Sequence, residues 1–105
     1  MAKEKQYIYL LRIGEPKNRL FKIGTTNNID RRCKEHKRAY KEDVTVLGVI
    51  PVTSKYTTLR VEEQTKEKWK QNANWEYKRN DRFIIPPEVE KVQITVRKTY
   101  EFSLA

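Results

Sequence analysis

Two short segments rich in tyrosine and branched aliphatics, Gln6–Ile13 (QYIYLLRI) and residues 20–24 (LFKIG), flank the cluster Gly14-Glu15-Pro16-Lys17-Asn18. Aromatic and branched side chains suit a pleated surface, whereas Gly and Pro break it. The stretch therefore predicts two strands in an antiparallel hairpin. The next residues, Thr25-Thr26-Asn27-Asn28, are helix N-cap types, and Asp30 falls where a first turn favours an acid. A helix is predicted over Ile29–Tyr40, a third strand over Val44–Val52, and a second helix over 55–71 after a Thr53-Ser54 cap. Residues 72–81 receive no assignment. Phe83-Ile84-Ile85 is apolar and stops at Pro86-Pro87. The alternation of Val92, Ile94 and Val96 predicts one last strand over 91–102.

The element order defines a mixed α/β (α+β) class. A small mixed or antiparallel sheet of about three strands is flanked by helices and carries an extra C-terminal strand. At 105 residues the natural count is one domain over residues 1–105. Leu, Ile, Val and Phe make up 25 of the 105 residues, enough for a small core. The longest apolar run, residues 46–52, falls far short of a bilayer span, and no apolar stretch follows the basic start at Met1. A cytoplasmic protein without a membrane partner is expected. A single cysteine, Cys33, excludes an internal disulfide and an all-cysteine metal site.

Charge speaks to partners. Lys and Arg outnumber Asp and Glu by 23 to 14, giving +9, and the sequence pI is about 9.7. Such a balance suits a polyanion, most simply nucleic acid, although solubility alone accounts for many basic proteins. Six of the basic residues, Arg31, Arg32, Lys34, Lys37, Arg38 and Lys41, lie in 31–41 against Glu35. At 100° per residue, Ile29, Cys33 and Tyr40 form the expected buried stripe of the first helix. Arg32 and His36 fall on its edge, and Arg31, Lys34 and Arg38 point away. The outer set suits phosphates or merely solvent. Arg32 at the margin suits a phosphate fork or a structural ion pair, and His36 could equally be a satisfied core histidine.

On the second helix, Leu59, Trp69 and Ala73 share the expected apolar face, and Glu62 falls within it. A carboxylate there is costly unless it is paired or holds a metal. Pairing with Lys66 at i+4, a helix rotated so that Glu62 lies at the rim, and a functional role all remain open.

The segments Tyr7-Ile8-Tyr9 and Lys22-Ile23-Gly24, followed by Thr25 to His36, resemble the GIY-YIG nuclease superfamily, in the K-I-G branch common in phage, bacterial and large-virus proteins. Arg32 stands eight residues after Gly24 and His36 four after Arg32, as that pattern has them. Three departures stand out: Tyr7 replaces the first Gly, Lys22 the second Tyr, and Asn80-Asp81-Arg82-Phe83 scrambles the downstream acidic-aromatic step.

The resemblance implies a DNA endonuclease using one divalent cation, Mg²⁺ or Mn²⁺, held by Glu62. It implies that Arg32 stabilises phosphoryl charge and that Tyr9 orients or deprotonates water, assisted by Lys22 or His36. Arg31, Lys34, Lys37, Arg38 and Lys41 would then grip the DNA backbone. A chain this short leaves no room for a separate sequence reader, so a homodimer or a targeting partner is expected. Two other readings compete: a nucleic-acid-binding module of the same fold without catalysis, and a phage-type protein that binds a host factor.

Overall fold

The computed structural model describes residues 5–52 and 54–105. Met1–Glu4 and the Thr53 half of the expected cap lie outside them. Two antiparallel strands, β1 (Gln6–Ile13) and β2 (Leu20–Thr26), are joined through a 3₁₀ turn, Pro16–Asn18. Helix α1 (Ile29–Tyr40), strand β3 (Val44–Val52) and helix α2 (Lys55–Lys70) follow. After them come β4 (Glu76–Lys78), β5 (Arg82–Ile84), β6 (Lys91–Thr95) and β7 (Thr99–Ser103). The first five strands in chain order form one sheet, β3-β1-β2-β5-β4, antiparallel at every pairing; β6 and β7 form a separate hairpin.

The α+β class stands, with five strands in the main sheet rather than about three. The two additions, β4 and β5, lie in a stretch that is polar from 76 to 82. Their hairpin is closed by Asn80 and Asp81, both with positive φ (60° and 57°). Asn and Asp tolerate that region better than other non-glycine residues, and tight hairpins demand it. The expected single strand at 91–102 is instead the β6–β7 hairpin. Its turn, closed by Val96 N–H donating to the Lys98 carbonyl (3.1 Å), contains neither Gly nor Pro to announce it.

Strand alternation sorts β1 onto two faces. Ile8 and Leu10 join Phe21, Ile23, Ile50 and Phe83 in a core closed by Val61 and Trp69 of α2 and by Val92 and Ile94 of β6. Tyr9 and Leu11 point the other way, toward α1. Beside Leu10 the β1–β3 register slips, and Gly48 sits where any Cβ would strike the Phe102 ring of β7. That glycine lets the hairpin lie flat on the sheet.

Helix α2 starts at Ser54, whose hydroxyl accepts from Thr57 N–H at 3.3 Å. It buries Thr58, Val61, Glu62, Thr65, Lys66 and Trp69, an i, i+3, i+4 stripe. The expected face led by Leu59 is therefore rotated: Leu59 is 46% exposed, and Ala73 lies exposed past the helix end. The reason is chemical. Thr58 and Thr65 donate their hydroxyls to the helix carbonyls of Ser54 (2.6 Å) and Val61 (2.8 Å), so they pack as apolar residues.

Helix α1 is also turned from its expected stripe. His36 is its buried residue, while Ile29, Cys33 and Tyr40 are only half-buried. The imidazole can be buried because a tyrosine from β1 satisfies it.

Candidate functional site

That tyrosine is Tyr9. Its ring crosses β2 at Gly24, its direct partner in the register, and a Cβ on residue 24 would overlap the phenol oxygen. Gly24 thus provides the opening through which the phenol reaches α1. Tyr9 Oη lies 2.9 Å from His36 Nε2, and the His36 ring stacks on Tyr40 at 5.6 Å. Burial pushes the phenol up to about 12, against the pull of Arg32. Burial, with Lys22 and Arg32 nearby, lowers the imidazole to about 4. Both groups are therefore neutral at pH 7, and in the tautomer with Nε2 free the phenol donates to the imidazole.

The edge of β2 shapes the rest. Strand β5 pairs with β2 only at Leu20, Phe21 and Lys22, so Ile23 to Thr26 have no strand neighbour on that side. Around this bare edge the chain gathers charged groups from both faces of the sheet. Lys22 is buried and donates to the Asn80 carbonyl in the β4–β5 turn. Burial lowers its pKa, with Asp81 and Glu62 acting against it. Arg32 approaches from α1, with Nη1 on Glu35 Oε2 at 2.8 Å. The guanidinium leans on the Tyr9 phenol, and its Nε, shielded from solvent, meets no acceptor within 3.5 Å. A hollow of about 310 Å³ opens beside it, lined by Gln6, Thr25, Thr26, Asn27, Arg31, Arg32 and Glu35.

Glu62 arrives from α2 and is 8% exposed. Burial raises its pKa, countered first by Lys66 and then by the nearby Thr25 hydroxyl. Thr25 thus links the acid to the wall of the hollow, and the charge of Glu62 is felt at both Tyr9 and Lys22. The pairing with Lys66 is present at 3.6 Å, and the same ammonium touches Glu63 (2.8 Å) and Asp81 (3.3 Å). Burial works against the charged form of Lys66, yet Glu63, Glu62 and Asp81 together hold its pKa above the ordinary value.

The five residues singled out in sequence, Tyr9, Lys22, Arg32, His36 and Glu62, therefore surround one strand edge. Of the five only Arg32 lines the hollow; Tyr9, Lys22 and His36 are buried beside it, and Glu62 sits behind Thr25 and Lys66. Lys66, Asp81 and Thr25 were not recognised as parts of this cluster. The i+4 spacing signalled Lys66 only as a partner for Glu62, and Asp81 comes in through a hairpin the sequence did not announce. The outer residues Arg31, Lys34, Lys37, Arg38 and Lys41 are exposed, as expected of a solvated basic face. Of these, Arg31 is tied to Asn27 (2.7 Å) and Glu35 (3.4 Å), and Lys37 to Asp43 (3.7 Å). A larger hollow, about 870 Å³, lies between α2 and β6 and contains none of the five.

Such a fold and edge define a small α+β domain with a phenol–imidazole pair, a free guanidinium nitrogen and an ion-paired acid around one bare strand. The chain belongs to the T5orf172 domain family, whose model matches residues 6–101; this is a phage-associated domain related to nucleases of the GIY-YIG and HNH-like kinds. No curated protein and no solved structure matches the chain. No helix among the described residues is long and apolar enough to cross a membrane.

Proposed function

We propose that this domain is a GIY-YIG-type endonuclease that hydrolyses DNA phosphodiester bonds with the help of Mg²⁺ or Mn²⁺ on Glu62. The observation that carries the reading is Arg32 Nε, a shielded donor with no acceptor beside a hollow large enough for a phosphate. A guanidinium with a spare donor is suited to an anionic oxygen. Arg32 would hold the phosphoryl oxygens and stabilise the charge that grows on them. Tyr9 would orient the attacking water through its hydroxyl oxygen, because its proton is engaged by neutral His36. Lys22, with its lowered pKa, adds a donor or a base at the same edge.

Among the described residues no group of three or more His, Cys, Asp or Glu is arranged to hold a metal. Mg²⁺ does not need one, since one or two carboxylates plus phosphate oxygens and waters are its usual set. The fit of a cation at Glu62 rests on a stand-in: the Lys66 ammonium already sits against Glu62 and Asp81. A bound divalent ion there would act as a Lewis acid on a phosphoryl oxygen. The exposed basic face of α1 would grip flanking phosphates.

A second reading, nucleic-acid binding without cleavage, is favoured by the cover over Glu62, which leaves its side chain 11% exposed. Nicking of supercoiled plasmid in Mg²⁺ or Mn²⁺ separates the two. Wild type should cut, and Glu62→Ala and Arg32→Ala should each lose on the order of 10²–10³-fold. Cutting that survives both changes rejects the site. Salt-sensitive DNA binding with no cutting in any variant establishes the second reading.

A further inference from the structure

Among the described residues Lys66 is the ammonium that meets the most carboxylates. Its side chain is 10% exposed, and its ammonium contacts Glu62, Glu63 and Asp81. Three carboxylates face this one ammonium, and two of them, Glu62 and Asp81, also act on the buried Lys22. These two are themselves largely covered, with side chains 11% and 28% exposed. Glu63 is different: its side chain is 67% exposed and makes the shortest of the three contacts. The ammonium is thus anchored on the solvent side while it plugs the inner pair of acids. Its stem lies along α2, one turn after Glu62, so release needs only side-chain rotation and no backbone movement.

We propose that Lys66 is a tethered cation that fills the Glu62 site, so that a divalent ion enters only by displacing it outward, where Glu63 alone still holds it. This rests on the reading of Glu62 as the metal-holding acid. The ammonium stays protonated throughout; it keeps Glu63 and exchanges the two inner carboxylates for water. The arrangement keeps the acids neutralised when no divalent ion is bound, and it sets the concentration at which the ion wins. Removing the ammonium while keeping the apolar stem should therefore strengthen divalent binding. It should also leave the ion-free protein with uncompensated buried acids.

The test needs no activity. Mn²⁺ binding is measured by electron paramagnetic resonance on wild type, Lys66→Met, Lys66→Arg and Glu62→Gln. Thermal unfolding of each is followed in EDTA and in Mn²⁺. Lys66→Met should bind Mn²⁺ at least ~10-fold more tightly than wild type, the order expected when one competing charge is removed. It should unfold earlier than wild type in EDTA and recover more on adding Mn²⁺, a gain readable even if the variant folds poorly without the ion. Lys66→Arg should behave as wild type. Equal Mn²⁺ affinity and equal Mn²⁺ recovery in Lys66→Met and wild type overturn the inference. Glu62→Gln reports separately on the reading beneath it. If Mn²⁺ binding is lost there yet unchanged in Lys66→Met, the metal-holding role of Glu62 stands and only the plug fails. If Glu62→Gln binds as wild type does, the metal is elsewhere and both fail.

Discussion

The two walls of the β2 edge bury polar groups by opposite means. On the side of α1, Tyr9 and His36 are kept neutral: burial raises the phenol to about 12 and lowers the imidazole to about 4, and each satisfies the other at 2.9 Å. On the side of α2, Glu62, Lys66 and Asp81 are paired, their charges balanced in part across 3.3–3.6 Å. A neutral pair is cheap to bury and can hand on a proton. A charged cluster is costly to bury, holds a cation, and responds to whatever competes for it. On the proposed reading the neutral wall would handle a proton and the charged wall a cation, with Arg32 between them.

The neutral wall is the easier to break. Gly24→Ala puts a methyl group where the Tyr9 hydroxyl lies, with the backbone of both strands fixed by register. Overpacking of this kind should cost about 1–3 kcal/mol, seen as a drop in the melting temperature, with DNA cutting reduced because the phenol is pushed off its position. A substitution that leaves both untouched would place the tyrosine elsewhere.

The same wall gives a pH signature. The folded-state pKa of His36 lies near 4, below the ordinary value of 6.5, so the unfolded chain takes up its proton first. Its contribution to stability is therefore complete above pH 6.5 and is lost as pH falls toward 4. Melting temperatures measured across that window should decline in wild type and decline less in His36→Gln. Parallel curves for the two proteins would mean that the imidazole is not held neutral.

The smallest effect belongs to the face outside both walls. Lys34, Arg38 and Lys41 are exposed and make no ion pair among the described residues. Changing any one of them to Ala should weaken DNA binding modestly and regardless of sequence. The slope of log affinity against log salt should fall by about 1 per phosphate contact removed. An unchanged slope would make this face a solvated surface and nothing more.

The two walls were also unequally legible in the sequence. Strand β1, helix α1 and strand β3 could be bounded from their residues, because Gly14, Pro16 and the Asn28 cap punctuate them and the Asn28 side chain does accept from Arg31 N–H at 3.0 Å. The placing of Tyr9 and His36 near each other came from the resemblance to GIY-YIG nucleases and not from the order of elements. The charged wall was only half visible. Glu62 stood out as an acid on an inward face, but the face itself was anchored on Leu59, because Thr58 and Thr65 look polar until their hydroxyls bond back to the helix. Strands β4 and β5 were hidden by their charge, and with them Asp81 and the Asn80 carbonyl that fixes Lys22. Where burial is sustained by pairing across segments distant in sequence, periodicity along one segment gives little notice of it.

The central claim is that both walls serve one ligand. NMR titration of isotope-labelled protein with thymidine 3′,5′-bisphosphate in the presence of Ca²⁺ tests it directly, since the probe offers phosphate groups without a cleavable bond between nucleotides. Shift changes converging on Tyr9, Lys22, Thr25, Arg32 and Glu62 at a common saturation are the predicted result. Changes confined to Lys34, Arg38 and Lys41 on the outer face of α1, with the β2 edge silent, would contradict it.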